Sequence, residues 1–324
     1  MDFFQETVIG NDIDTAADWL LRGEAVGVPT ETVYGLAANA LNPDAVTKIF
    51  EAKERPQFNP LIVHAASMEA AFSWADEVPP VAKSLAAAFW PGPLTLLLPK
   101  KSVVPDIVTA GSGRVGLRVP SHLLLHELLL RLPFPVAAPS ANKFGAISPT
   151  TATHVAEGLN GRIPYVLDGG QSSVGVESAI VGFEYGEPVL YREGGISIEA
   201  IEAVLGAPIT KAVATDAHPV APGRLKSHYA PGTPLYLGSL QELAKRLPVD
   251  QCAILCYSGT ELKAKHIFIL SPSADLHEAA QNLFGMLREA DSMGAMAILA
   301  EPVPDQGIGR AINDRLSRAQ HANK

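Results

Sequence analysis

Four segments in the first 200 residues set hydroxyl and basic side chains at the ends of short apolar runs. The first is Pro29-Thr30-Glu31-Thr32-Val33-Tyr34-Gly35-Leu36, with two threonine hydroxyls and a tyrosine ahead of a glycine. A helix cap followed by a turn has the same signature. The second runs from Lys53-Glu54-Arg55-Pro56-Gln57-Phe58-Asn59-Pro60 into Leu61-Ile62-Val63-His64. Lys53 and Arg55 close a helix, where cations suit the dipole. That account leaves out the two prolines that stiffen and aim the exit loop. A planar guanidinium beside a mobile ammonium would also suit a polyphosphate. His64 ends an apolar strand, a setting in which a lone histidine is commonly a satisfied core residue.

The third segment runs from Gly111 to Asn142. It holds Arg114, then Val115-Gly116-Leu117-Arg118-Val119-Pro120, then Ala138-Pro139-Ser140-Ala141-Asn142. Arg118 alternates with apolar neighbours, as an outward-facing strand charge also would. Ser140 and Asn142 leave a strand into a loop ending at Ser148-Pro149-Thr150-Thr151, and such loops offer N–H groups and hydroxyls to anions. The fourth segment is Gly175-Val176-Glu177-Ser178-Ala179-Ile180-Val181, followed by Leu190-Tyr191-Arg192-Glu193-Gly194-Gly195. Here a hydroxyl enters one strand and an arginine leaves another. No nucleophilic triad, metal-spaced His/Cys/Asp cluster or G-x-x-x-x-G-K-[ST] loop is found. The set fits phosphate and carboxylate binding better than covalent catalysis.

These segments need a scaffold. Apolar runs at 25–28, 61–64, 94–98, 115–119, 136–138, 165–167 and 179–181 read as strands. Helix-like runs at 44–52, 81–89 and 122–131 lie between them, and Pro43 and Pro80 mark two helix starts. Strands interleaved with helices predict a large α/β sheet. Residues 206–231 carry Pro208, Pro219, Pro222 and Pro231 and read as a linker, long enough to be functional. Beyond it the pattern is β-α-β-β-α-β-α, a small Rossmann-like unit. Gly307-Ile308-Gly309 starts a dinucleotide fingerprint but lacks the third glycine, since Ile312 stands there. The boundaries predicted are 1–205, 206–231 and 232–324.

The 324 residues are 47% hydrophobic and 18% charged, which suits a globular chain with a substantial core. The net charge of −9 lies in residues 1–200, with 13 Lys+Arg against 22 Asp+Glu; residues 201–324 balance at 12 and 12. An acidic chain is a poor general nucleic-acid binder, so no stable nucleic-acid binding is expected. Cys252 and Cys256 read as buried thiols rather than a disulfide framework or zinc site, which fits a reducing cytoplasm. Neither a signal pattern nor a membrane-spanning run is found.

The segments Thr30–Leu36, Lys53–His64, Val115–Pro120, Ala138–Asn142 with Ser148-Pro149-Thr150, and Glu177–Val181 resemble, in order and spacing, the YrdC-like threonylcarbamoyl-AMP synthases. Ser227-His228-Tyr229-Ala230-Pro231 and the further small unit resemble the family's long two-domain form. The resemblance implies a mixed-sheet YrdC-like catalytic domain and a nucleotidyltransferase acting on L-threonine, bicarbonate and ATP. Its product would pass to the machinery that places threonylcarbamoyl on tRNA adenosine. It implies that Thr32, His64, Arg118, Ala138 (through its backbone) and Ser178 surround threonine. Lys53, Arg55, Asn59, Arg114 (through its backbone), Ser140, Asn142, Ser148 and Arg192 would surround ATP. Tyr229 would close over the nucleotide. Mg2+ would accompany ATP, held mostly by phosphate and water rather than by protein side chains. The chain departs from the family's usual residues at Ala179, Phe144 and Arg224-Leu225.

In the implied reaction, threonine's amine captures bicarbonate or CO2, and the N-carboxylate attacks the α-phosphate while pyrophosphate leaves. Both reactants are anionic, so positioning and fixed positive charge carry the catalysis. Lys53 and Arg55 are expected to steady the phosphates, and Arg118 to clamp threonine's carboxylate. No general base is identified. Three other classes remain: an RNA-binding module, a carbamoyl-transfer enzyme of metallocluster maturation, and an amino-acid- or nucleotide-sensing regulator. The charge balance weighs against the first, and the absence of zinc-type cysteine pairs against the second.

Overall fold

The structure, a computed structural model, describes residues 4–56, 59–212 and 228–321. Expectations that fall on Gln57 and Phe58, and on 213–227 of the Pro-rich stretch with Arg224-Leu225 and Ser227, lie outside the described residues.

Among the described residues, eleven strands form one mixed sheet. They are β1 (Val8–Gly10), β2 (Val26–Val28), β3 (Gly35–Asn39), β4 (Ile62–His64), β5 (Leu94–Pro99), β6 (Arg114–Arg118), β7 (Val136–Ala137), β8 (Tyr165–Leu167), β9 (Ala179–Glu184), β10 (Glu187–Arg192) and β11 (Thr210–Lys211). Their spatial order is β1-β8-β2-β3-β7-β4-β6-β5-β9-β10-β11. Both faces of the sheet are covered. Along β3, Leu36 and Ala38 join one core cluster with Val46, Ile49 and Phe50 of the helix Pro43–Lys53. Ala37 joins another with Leu20 and Leu128, from the helices Ile13–Leu21 and Leu123–Arg131. Alternation of period two sends neighbouring strand residues to opposite helical layers.

Local chemistry sets the element ends. The Asn42 side chain accepts from the N–H groups of Asp44 and Ala45, and Pro43 takes the first helical position. That helix stops at Glu54, whose left-handed φ of 53° swings the chain toward Arg55. Thr30 does not cap a helix. Its hydroxyl accepts from the N–H groups of Thr32 and Val33 and donates to the Val33 carbonyl, closing a turn into β3. Several elements were not read from the sequence: β1, the helices Ile13–Leu21, Ala152–Leu159 and Ile198–Leu205, and β11 within the Pro-rich stretch.

The second unit is a parallel sheet of β12 (Leu235–Leu237), β13 (Ala253–Cys256), β14 (His266–Ile269) and β15 (Ile298–Ala300), ordered β12-β15-β13-β14. The α/β class expected of both units is the class observed. Cys252 and Cys256 are buried free thiols. Leu283, Phe284 and Leu287 on the helix Leu276–Ser292 are fully or almost fully buried, worth roughly 1.5–3 kcal/mol each. Their cluster also takes in Val33, Ile147 and Val176 of the large unit and Tyr229, so the two units share one core.

At Gly175 the backbone adopts φ +79°, and an added Cβ would lie 2.2 Å from the Ala280 carbonyl oxygen of that helix. Only glycine permits this approach. The Ala230 N–H donates to the Gly145 carbonyl at 2.9 Å, which lays the end of the connection against the large unit. Among the described residues, no helix is long and apolar enough to cross a membrane.

Candidate active site

Sheet register builds the centre of the site. β4 and β6 run parallel, and their last residues, His64 and Arg118, are register partners. Side chains at matched positions of neighbouring strands share a face. The Arg118 guanidinium is buried. It donates to the Thr32 hydroxyl at 3.0 Å and the Gly92 carbonyl at 3.3 Å, and lies 2.6 Å from the Glu31 carboxylate. His64 is buried as well, with Nδ1 3.2 Å from the Ile62 carbonyl oxygen. A carbonyl only accepts, so that contact places the proton on Nδ1 and leaves a lone pair on Nε2. Burial, then the Arg118 charge, push its pKa down to about 3, so the ring is neutral.

A second group stands at the β9–β10 pair. β5 runs parallel to β9, and the Thr95 and Ser178 hydroxyls are 2.8 Å apart. A register shift between Leu190 and Arg192 re-aims the end of β10. Arg192 then donates to the Ser178 carbonyl at 3.1 Å and to its hydroxyl at 3.2 Å. Arg55 enters from the helix exit and donates to the Asn59 and Pro60 carbonyls. Burial disfavours the charge on both arginines; Arg192 adds to this at Arg55, and Arg315 and Arg118 add to it at Arg192. Among the described residues Arg55 has no carboxylate partner. An incoming anion would relieve this excess of buried positive charge.

These groups line one partly closed cavity in which polar and charged side chains converge. Of the residues expected from the sequence, Thr32, Arg55, His64, Arg118, Ala138, Ser140, Ser178, Arg192 and Tyr229 line it. The Ala138 N–H is committed to the Ile62 carbonyl, so contact with a ligand would fall to its own carbonyl.

Lys53, Asn59, Arg114, Asn142 and Ser148 are not in its wall. The Lys53 ammonium is buried and donates to the carbonyls of Ser140 and Asn142, tying down the loop after β7. Burial, with Arg55 nearby, pushes its pKa well below the usual lysine value. Arg114 donates to the Tyr191 hydroxyl at 2.9 Å. Asn142 donates to the Lys143 and Ala146 carbonyls, bracing the same loop. The amide oxygen and nitrogen of Asn59 are both buried without a partner among the described residues, an arrangement that calls for a ligand or water.

Two carboxylates were missed by the sequence reading. Glu31 pairs with Arg118. Glu177 lines the cavity and accepts from the Ser148 hydroxyl at 2.7 Å and from Arg315 Nε at 3.0 Å. Burial opposes its ionisation, yet Arg315, Arg192 and the Ser148 hydroxyl hold its pKa below the usual carboxylate range. The cavity's remaining wall is Tyr229, which is buried, has φ 64° and packs its ring 5.4 Å from Phe284 and 4.2 Å from His228.

Comparison with known proteins gives concordant findings. Residues 18–194 match a Sua5/YciO/YrdC family model described as "Telomere recombination", and residues 196–320 match one described as "Threonylcarbamoyl-AMP synthase, C-terminal domain". The chain is 41% identical over 322 residues to the threonylcarbamoyl-AMP synthase of Pyrococcus abyssi, covering 95% of this chain and 93% of the relative. It is 42% identical over 319 residues to that of Bacillus subtilis, covering 95% and 92%. The crystal structure of P. abyssi Sua5 complexed with L-threonine superposes with a TM-score of 0.91 at 40% identity, over 98% of both chains.

Proposed function

This chain belongs to the Sua5/YciO/YrdC family of threonylcarbamoyl-AMP synthases, and from that premise we propose that it makes threonylcarbamoyl-AMP and pyrophosphate from L-threonine, bicarbonate and ATP. The observation that carries this reading is a single cavity wall that brings Arg118, Thr32 and His64 together with two further buried arginines, Arg55 and Arg192. The first set suits an amino acid and the second a polyphosphate.

The amine condenses with bicarbonate, releasing water and leaving an N-carboxylate. A carboxylate oxygen then bonds to the α-phosphorus as the bond to the β-phosphate bridge breaks, and pyrophosphate departs. Arg118 orients threonine's carboxylate. Two of its five N–H groups are committed to Gly92 and Thr32, and Nη2 lies by the Glu31 carboxylate without a hydrogen bond, so N–H groups remain for a fork on the substrate. The Nε2 lone pair of neutral His64 accepts from threonine's hydroxyl or amine, and Thr32 and Ser178 add hydroxyls. We assign the carbonyl of Ala138, a residue of the cavity wall, to a contact with the same substrate.

Arg55 and Arg192 bind the phosphates and stabilise charge moving onto the leaving group. Ser140 adds a polar contact at that end, Ser148 acts through Glu177, and the unpartnered amide of Asn59 lies behind the wall. We assign Lys53 and Asn142 to holding the loop that bears Ser140, and Arg114 to a backbone contact with ATP. Tyr229 closes over the nucleotide as part of the Pro-rich connection. Glu177, the carboxylate of the cavity wall, is engaged by Arg315 and Ser148, so Mg2+ would be held by the triphosphate and water and would supply neutralisation of phosphate charge. The product would serve the threonylcarbamoyl modification of tRNA in the cytoplasm.

Mass spectrometry of a reaction fed with labelled bicarbonate tests the reading. The label should appear in an adenylate that also contains threonine. Label-free AMP as the sole nucleotide product would contradict it.

A further inference from the structure

Arg315 belongs to the helix Gly309–His321 of the C-terminal unit, far from the sequence segments that form the cavity. It is the largest fully buried side chain among the described residues, at 1% exposure. Its Nε meets Glu177, 138 residues away, at 3.0 Å. A second nitrogen donates to the Glu193 carbonyl at 2.8 Å, beside Arg192. Its guanidinium carbon lies 5.6 Å from the centre of the Tyr229 ring, within cation–π range. One side chain therefore touches a carboxylate of the cavity wall, the neighbour of a cavity arginine, and the aromatic wall contributed by the connection.

We propose that Arg315 is a positioning residue for nucleotide binding, through which the C-terminal unit completes the phosphate end of the cavity. The inference rests on the ATP-dependent function above. Glu177 is a carboxylate in the wall of a site that must accept polyanionic phosphate. Compensated by Arg315 and Ser148, it braces the wall without repelling the ligand. Without Arg315 it would face the phosphates as a bare negative charge, or compete with them for Arg192. Either course penalises ATP more than threonine, whose proposed contacts with Arg118 and His64 lie on β6 and β4 and with Thr32 in the turn before β3, leaving only Ser178 beside Glu177. Loss of Arg315 also uncovers one face of the Tyr229 ring.

Titration calorimetry of the full chain with ATP–Mg2+ and, separately, with L-threonine tests this without depending on turnover. Arg315→Met should weaken ATP binding by about tenfold or more, the value of one charge-assisted contact, with the threonine Kd unchanged within about twofold. Adding Glu177→Gln to Arg315→Met should restore part of the ATP affinity, because the uncompensated charge is then gone. A plain interdomain staple would give no such recovery. If Arg315→Met does not fold, Arg315→Lys is read the same way: selective loss of ATP affinity supports the role, and unchanged affinity overturns it. Equal weakening of both ligands, or a double variant as impaired as the single, also overturns it. A chain that binds ATP in this Arg315-dependent way yet releases no pyrophosphate would retain the positioning role and refute the functional reading instead.

Discussion

Arg118 and Glu31 form a buried ion pair, 2.6 Å apart with side chains 4% and 6% exposed, at the wall of the cavity. The pair fixes the guanidinium before any substrate arrives. Buried pairs add little net stability, but removing one partner strands the other at a cost of about 3–5 kcal/mol. Arg118→Ala should therefore lose both activity, by roughly 100-fold or more, and thermal stability. Arg118→Ala combined with Glu31→Gln should regain most of the melting temperature and none of the activity. Thermal melts and steady-state rates on the two variants check this. Recovery of activity in the double variant would mean that Arg118 is structural.

Stability should fall in mild acid, because His64 and His228 are buried with pKa values pushed down to about 3, from an ordinary 6.5, chiefly by burial. Between those values the unfolded chain binds protons that the folded chain refuses. The stability from each group is complete above about pH 6.5 and declines as pH drops toward 3, by up to about 1.4 kcal/mol per pH unit each. Urea denaturation at pH 7, 6 and 5 reads the slope. His64→Gln should make it shallower, and an unchanged slope would show that His64 is not held neutral by the fold.

Tyr229→Ala should reduce nucleotide affinity, measured by calorimetry, because it opens the wall between His228 and Phe284. Removing a buried aromatic of this size should also cost about 3–5 kcal/mol of stability. Tyr229→Phe keeps the ring contacts and should retain most of the affinity. Equal affinity in all three proteins would reduce Tyr229 to a spacer.

Gly175→Ala should separate the two units. Its methyl would sit 2.2 Å from the Ala280 carbonyl oxygen, at a φ that disfavours any side chain. A fall of several degrees in melting temperature is expected, roughly 4 °C or less per kcal/mol for a chain of this size. Nucleotide affinity should fall with it. A variant with native melting and native affinity would contradict the close approach.

Much of the architecture was legible because local rules and tertiary packing agree. Pro43 and Pro80 stand at the first helical positions of their helices, and Leu283, Phe284 and Leu287 lie on the predicted buried face. The cavity arginines were legible as charges at the ends of strands and a helix. Glu31, Glu177 and Arg315 were not. Each is an ordinary charge in its own segment and acquires meaning only when the fold brings a partner from 87 or 138 residues away. Lys53 and Asn142 carry the right chemistry for phosphate, but the fold turns them onto carbonyls of the loop they adjoin. Sequence spacing cannot distinguish a cation that meets a ligand from one that holds the ligand's loop.

The most direct test of the central claim is pyrophosphate release from ATP by the purified chain, with threonine and bicarbonate supplied or withheld in turn. The account predicts release only when both are present, and a fall in kcat/KM of roughly 100-fold or more in Arg55→Ala. Release that proceeds equally well without threonine or without bicarbonate, or that is indifferent to Arg55, would contradict it.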